Sequence, residues 1–420
     1  MAELTRRGLL AQAGLAAGAL ALAAPERIEA APDLRDWRSV RAQFALDPAR
    51  IHLTSFLLAA HPLVVRRAID RHRRGLDANP VDYLHANEGR LTEAARTAAG
   101  RFLGASPEEI ALTDSTTMGL GLLYAHLRLG ARDEVLTTEH DFYATHEALR
   151  LSGARVRRVS LYDDPQKASI DEMVTRLRRA VSPRTRVVAL TWVHSSTGVR
   201  LPLPAISHAL PEQVMLCVDG VHGFGAEAAT VRALGCDAFA SGCHKWLYGP
   251  RGTGVLWMGE RMRELVRPTI PSFDDGESYG AWLGGSAPRG LPDGRRMTPG
   301  GFHSFEHRWA LAEAFAFHEA IGRQRVQARI RRLVARLQNG LADIRGVRLR
   351  TPASPAVSAG LVCFEIAGLD AAEVVSQLAA RRIVASVTPY AERYVRLGPG
   401  IVNTDADVAA AVRAVTLIAR

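Results

Sequence analysis

At 420 residues, with 47% hydrophobic, 23% charged and 6% aromatic residues, the chain has the composition of a soluble globular protein. Disordered, collagen-like and polytopic membrane chains are excluded. The formal charge is +10, but basic residues occur throughout without an aromatic-interleaved patch, so an arginine-rich solvated surface is expected and no nucleic-acid partner.

Thr5-Arg6-Arg7-Gly8-Leu9-Leu10 precedes an apolar Ala/Gly/Leu run from about Leu15 to Ala24, too short and small-sided for a membrane span. Residues 1–30 read as a twin-arginine export signal, with cleavage near Ala24 or Ala30. The expected product is a periplasmic protein, exported folded by the twin-arginine machinery and not stably inserted in the membrane. Residues 31–75 are expected to form an N-terminal arm, 76–310 a large domain, and 311–420 a small C-terminal domain with its connecting helix. Apolar periodicity predicts helices over Leu63–Leu76 and Arg90–Leu103. Thereafter short strands (Ile110–Leu112, Glu134–Thr137, Arg155–Ser160, Arg186–Thr191, Val214–Val218, Ala238–Ala240) alternate with helices such as Tyr143–Ser152 and Ser169–Val181. This alternation predicts an α/β fold with a mostly parallel sheet, which places ligands at the carboxyl ends of strands. The Gly/Pro-rich stretch 268–301 reads as a long functional loop. A helical stretch over Phe305–Ile344, broken near Gly322, and further β-α alternation complete the chain.

Of the 53 basic residues only Lys167 and Lys245 are lysines, so chemistry that needs a primary amine has two candidates. Asp219 ends the apolar strand Val214–Val218, and His222 lies three residues on. Lys245 follows the strand Cys236–Ala240 within Ser241-Gly242-Cys243-His244-Lys245-Trp246-Leu247-Tyr248-Gly249-Pro250. A carboxylate and a lysine at two strand ends can converge on one ligand. A lysine beside His and Ser suits a Schiff base to an aldehyde cofactor, with the carboxylate keeping a pyridinium nitrogen protonated. Thr113-Asp114-Ser115-Thr116-Thr117 opens a helix and fits an anion such as a phosphate. Cys217, Cys236, Cys243 and Cys363 show no C-x-x-C or zinc spacing, so neither a disulfide framework nor a metal is expected.

On these residues the sequence resembles the class V aminotransferase family of pyridoxal phosphate (PLP) enzymes, in its isopenicillin N epimerase-like branch, from about Ile51 to Val415. Arg296-Met297-Thr298-Pro299-Gly300-Gly301 and the C-terminal Arg396-Leu397-Gly398 with Asn403-Thr404-Asp405 match its patterns more loosely. The resemblance implies the PLP-dependent transferase fold type I and a homodimer. Residue by residue, it implies that Lys245 forms the Schiff base and moves protons, that Asp219 pairs with the pyridinium nitrogen, and that His222 lies near the ring hydroxyl. Ser241 and His244 would contact the phosphate together with Thr116 and Thr117. His140 would stack on the cofactor, with Tyr143 a rival for that place. Arg396 would clamp a substrate carboxylate. Ser195 lies where many members carry an Asn beside the cofactor. Gly301 lies where the family often has a Thr reaching the neighbouring subunit's phosphate, a role its backbone N–H or His303 would take over.

The expected substrate is a small-molecule amine, an amino acid or a peptide-borne amine. The expected reaction breaks a bond at Cα by amino transfer, epimerisation or another tailoring step. An exported member of this branch is similar to periplasmic PLP enzymes that tailor peptide siderophores. Cysteine desulfuration is disfavoured, because Cys363 lies in an apolar strand and no cysteine lies between it and Arg396. The alternatives are C–S or other β-elimination, or a non-catalytic binding protein on the same scaffold.

Overall fold

The computed structural model describes residues 32–420, so the export signal read from Arg6 and Arg7 lies outside the described residues. β1 is Ile51–His52. Seven strands follow and form one sheet: β2 (Ile110–Thr113), β3 (Glu134–Thr138), β4 (Val156–Val159), β5 (Thr185–Thr191), β6 (Met215–Asp219), β7 (Ala238–Gly242) and β8 (Gly254–Met258). Their order is β2-β8-β7-β6-β5-β3-β4. The run from β7 to β4 is parallel throughout, and β8 is antiparallel to both its neighbours. The sheet is therefore mostly parallel, as expected. The strand β8 was hidden in the sequence because Gly252 and Gly254 extend the turn after Lys245.

Every residue of β2, β3, β7 and β8 is buried, as for strands covered on both faces. Alternate residues feed two separate cores. Val188, Leu190, Leu216, Val218 and Phe239 join the larger one, whereas Val187, Ala189, Cys217, Ala238 and Ala240 join the smaller. The second face is made of small side chains, which lets the helix Thr116–Ala125 lie close. A Cβ on Gly119 would stand 3.2 Å from that of Ala240.

β9 (Val347–Leu349), β10 (Val362–Ile366), β12 (Ser386–Val387) and β13 (Val395–Leu397) form an antiparallel sheet in the order β12-β13-β10-β9, and β11 (Ile383–Val384) pairs in parallel with β1. Residues Leu34–Arg420 form one compact unit.

The helix predicted from Arg90 begins at Pro80, with Asn79 as its N-cap accepting from Asp82 N–H. This is the Asn-Pro signature of a helix start. The expected break at Gly322 is present, at φ +97°, between helices Leu311–Ile321 and Arg323–Ala342. The stretch 268–301 holds two short helices, Gly276–Leu283 and Gly294–Met297. No helix of the described residues is long and apolar enough to cross a membrane. Part of the arginine excess is structural: Arg325 and Arg329 lie over Trp37, and Arg323 lies over Phe102 and donates to two backbone carbonyls.

Candidate active site

Because β2, β3, β5, β6 and β7 all point the same way, their carboxyl ends deliver one set of side chains to one edge of the sheet. β6 delivers Asp219, and β7 leads into Lys245. β5 leads into Ser195, and β3 into His140. Asp219, His222, Lys245, Ser195 and Arg396 line one pocket, walled by Leu57, Phe142 and Pro389.

The turn from Asp219 to His222 works only with glycine at 220, where a Cβ would lie 1.9 Å from the Phe239 ring. Asp219 is 2% exposed, and its Oδ1 accepts from Val221 N–H at 3.0 Å. Burial raises its pKa to about 6, while that hydrogen bond and the Lys245 charge act against the rise. Lys245 Nζ lies 3.4 Å from His222 Nε2 and makes no ion pair with a carboxylate of the described residues. Burial lowers the Lys245 pKa to about 8, and the Asp219 charge limits the fall. His222 is buried with its Nδ1 unpartnered, and burial and the Lys245 charge keep its ring neutral.

Just past Lys245, Tyr248 stands at φ +60°, a left-handed conformation that a bulky side chain rarely adopts and that costs about 1–3 kcal/mol. Its N–H donates to Lys245 O at 2.9 Å, its hydroxyl accepts from Ile401 N–H at 3.3 Å, and its ring meets Phe44 edge-on at 5.1 Å. The lysine turn is thus clamped from two sides, by its own backbone and by the segment after β13.

The anion-binding expectation rests on the start of helix Thr116–Ala125, capped by Ser115 accepting from Met118 N–H. Thr116 is buried, and its Oγ1 accepts from Gly242 N–H at 2.7 Å. That bond ties the helix start to the segment carrying Ser241, His244 and Lys245. Thr117 is exposed. The Ser241 hydroxyl is fully buried and donates to Gly242 O at 3.0 Å.

His140 is half-buried and stacked on Tyr162, with centroids 4.0 Å apart and planes 7° apart. Burial and the nearby His194 lower its pKa to about 3, so the ring is neutral. Tyr162 is anchored in turn, its hydroxyl 2.8 Å from His194 Nδ1 and 3.0 Å from Thr197 Oγ1. Next in sequence, Asp141 is buried. Its Oδ2 accepts from Thr138 N–H and from the Thr137 and Thr138 hydroxyls, and its Oδ1 from Thr191 N–H. Asp141 therefore staples the His140 turn to the end of β5. Tyr143, the rival of His140, is 69% exposed and does not line the pocket.

Arg396, on β13, is 4% exposed. Its Nε donates to Ser386 Oγ at 3.1 Å, its Nη1 to Ser195 O at 3.3 Å, and its guanidinium lies 5.0 Å from the Phe56 ring centroid. It has no ion pair with a carboxylate of the described residues. Gly301 is not among these groups. It stands at φ +101° and lines a separate cavity with Arg96, Asp274 and Phe302. There His303 Nδ1 approaches Gly301 O at 3.1 Å, and His303 Nε2 is buried without a partner.

Three participants escaped the sequence reading: Tyr162, Asp141 and Tyr390, whose hydroxyl lies 3.1 Å from Ser195 Oγ. Tyr162 sits just beyond β4, a carboxyl-end position that signals candidacy in a parallel sheet. Nothing local marks the other two.

The arrangement fits PLP. A buried carboxylate with a free oxygen faces the same pocket as an amine of lowered pKa and an unpartnered imidazole nitrogen. A helix start lies across the Gly242 backbone from that amine, and a buried guanidinium has no carboxylate counter-ion among the described residues. No group of three or more His, Cys, Asp or Glu set to hold a metal occurs among the described residues.

Comparison with known proteins agrees with this chemistry. The aminotransferase class-V family matches residues 59–408. An isopenicillin N epimerase of Streptomyces clavuligerus is 29% identical over 81% of this chain and 87% of its own length. A probable cysteine desulfurase of Vibrio cholerae is 28% identical over 71% of this chain and 74% of its own. Among solved structures, a C-DES mutant with glycine covalently linked to its PLP cofactor superposes with a TM-score of 0.81 at 22% identity, covering 90% of this chain and 98% of that one.

Proposed function

Since the chain belongs to the aminotransferase class-V family, and is thereby a PLP-dependent enzyme, we propose that it acts on the amine of an amino acid or peptide and breaks a bond at its Cα. Bound PLP supplies the electron sink that weakens such bonds. Lys245 would hold the cofactor and exchange the proton at Cα, Asp219 would face the pyridine nitrogen, and His222 the ring hydroxyl. The start of helix Thr116–Ala125, with Ser241 and His244, would receive the phosphate, and His140 would cover the ring.

The observation that carries the reading is the pairing, in one pocket, of Lys245 and Arg396, neither of which has an ion pair with a carboxylate of the described residues. A buried guanidinium without a counter-ion is costly. An amino acid carboxylate presented to Lys245 relieves that cost, and the planar fork suits it.

A route through a protein persulfide has little support. All four cysteines are buried, and burial pushes the Cys363 and Cys243 thiols up to about 12. A thiol nucleophile needs the opposite.

The test is to incubate the PLP-loaded protein in D2O with a panel of L- and D-amino acids and free-amine peptides. We expect at least one to change the PLP absorbance and to exchange its Cα proton, seen by NMR. A protein that binds PLP yet leaves every Cα proton in place would refute the assignment.

The same reading includes a homodimer. Phe273, Tyr279, Trp282, Leu283 and Phe302 are all exposed and cluster in sequence over 273–302, more apolar surface than a lone chain usually leaves in water. The open backbone at Gly301, where a Cβ would meet nothing within 4 Å, lies beside them. Light scattering at micromolar concentration is expected to give twice the chain mass. An active, PLP-loaded monomer would contradict it.

A further inference from the structure

The loop between β12 and β13 brings Tyr390 next to the pocket. This loop is short and internally braced. Thr388 N–H donates to Tyr394 O at 2.9 Å, Tyr394 N–H to Thr388 Oγ1 at 2.8 Å, and the Thr388 hydroxyl to Glu392 O at 2.9 Å. From that frame Tyr390 reaches inward. Its ring meets Phe142 at 5.9 Å and 62°, and its hydroxyl lies 3.1 Å from Ser195 Oγ. The Ser195 backbone oxygen is in turn the acceptor for Arg396 Nη1.

We propose that Tyr390 is a positioning residue for the carboxylate clamp, acting through Ser195 on Arg396. This rests on the assignment of Arg396 to a substrate carboxylate. Arg396 is oriented by a hydroxyl at Nε, a carbonyl at Nη1 and the Phe56 ring beneath it. Of these, only the Ser195 carbonyl belongs to the large-sheet side of the pocket. The turn that carries it, closed by Gly198 N–H donating to His194 O at 2.7 Å, is fixed at the serine itself by the Tyr390 phenol. Burial raises the Tyr390 pKa, so the phenol stays neutral, and either hydroxyl can donate in that bond. The pair also stitches the small sheet to the large one across the pocket mouth, where Pro389 and Phe142 form part of the wall.

The experiment uses the PLP-loaded full chain and 3-phenylpropionate, an unreactive carboxylate with an apolar tail, titrated against the PLP absorbance. Tyr390→Phe keeps the ring on Phe142 and removes only the hydroxyl. It is expected to retain the melting temperature and PLP band while weakening the probe roughly 3- to 10-fold, the value of one hydrogen bond. Ser195→Ala should weaken it similarly, and the double variant should be no worse than either single one, because both break the same link. Wild-type affinity in Tyr390→Phe, or additive losses in the double variant, would overturn the proposal. Arg396→Ala separates the two levels. If it loses the probe while Tyr390→Phe does not, only the positioning role falls; if it binds the probe as the wild type does, the carboxylate clamp falls and takes this inference with it.

Discussion

Lys245→Ala is expected to lower turnover by roughly 10²–10⁴-fold or more, the range for losing a positioned acid–base group, and to leave PLP bound without a covalent link. The effect should be large because the residue cannot be replaced from nearby. The other lysine, Lys167, has an 83% exposed side chain and pairs with Asp164 on a surface turn. The wild-type amine is also prepared for the task. With its pKa lowered to about 8 by burial, a far larger share of Lys245 is unprotonated near neutral pH than of an unperturbed lysine. Covalent capture of added PLP by the apo protein should therefore speed up as pH rises and level off above about 8. A rate still climbing tenfold per pH unit at pH 9 would show that the amine is not lowered. Activity assays and stopped-flow absorbance make both measurements.

Asp219→Asn is expected to reduce turnover by a comparable factor and yet to raise the stability of the apo protein at neutral pH. Asp219 is the one carboxylate lining the pocket among the described residues, so its loss leaves the pyridine nitrogen without a charged partner. The stability sign follows from its raised pKa. Relative to the unfolded chain, the native carboxyl holds its proton more tightly, up to about pH 6. Native stability from this group is thus full below the usual carboxylate pKa and is lost as pH rises through about 6. At pH 7.5 the ionised, buried Asp219 costs on the order of 1–3 kcal/mol. Asn keeps an acceptor for Val221 N–H and removes that cost. Apo Asp219→Asn should therefore melt above wild type at pH 7.5, with the gap closing at pH 4. Removing the Asp219 charge also takes away what holds the Lys245 pKa up, so the capture midpoint should move lower. A variant less stable than wild type at pH 7.5 would mean that the carboxylate is structurally paired rather than kept for a ligand.

What was legible in the sequence shares one property. Asp219, Lys245, Ser195 and the Thr116 turn all follow strands whose apolar runs are strong local signals, and the rule that parallel strands deliver ligand-binding residues at their carboxyl ends then groups them. Arg396 is legible by resemblance rather than by pattern, since its strand, three residues long, carries no usable period. The strand β8 was lost among glycines that also serve the lysine turn. The helix from Pro80 was shortened because Gly89 and a polar first half blurred its apolar stripe. Tyr162, Asp141 and Tyr390 were illegible for a different reason. Their contacts join residues up to 195 positions apart, and nothing in a buried tyrosine's neighbours states which hydroxyl it will meet. Gly301 remains apart from Lys245 within one chain because the cavity it lines belongs to another face, between the helix Pro80–Leu103 and residues 273–305.

The claim on which the rest depends is that PLP is carried by Lys245. Borohydride reduction of the purified protein, digestion and peptide mapping test it directly. A single phosphopyridoxyl-modified peptide is expected, containing Lys245 between Gly242 and Arg251, with Lys167 unmodified. A label on Lys167, or no label on a protein that holds PLP and turns over an amine, would contradict it.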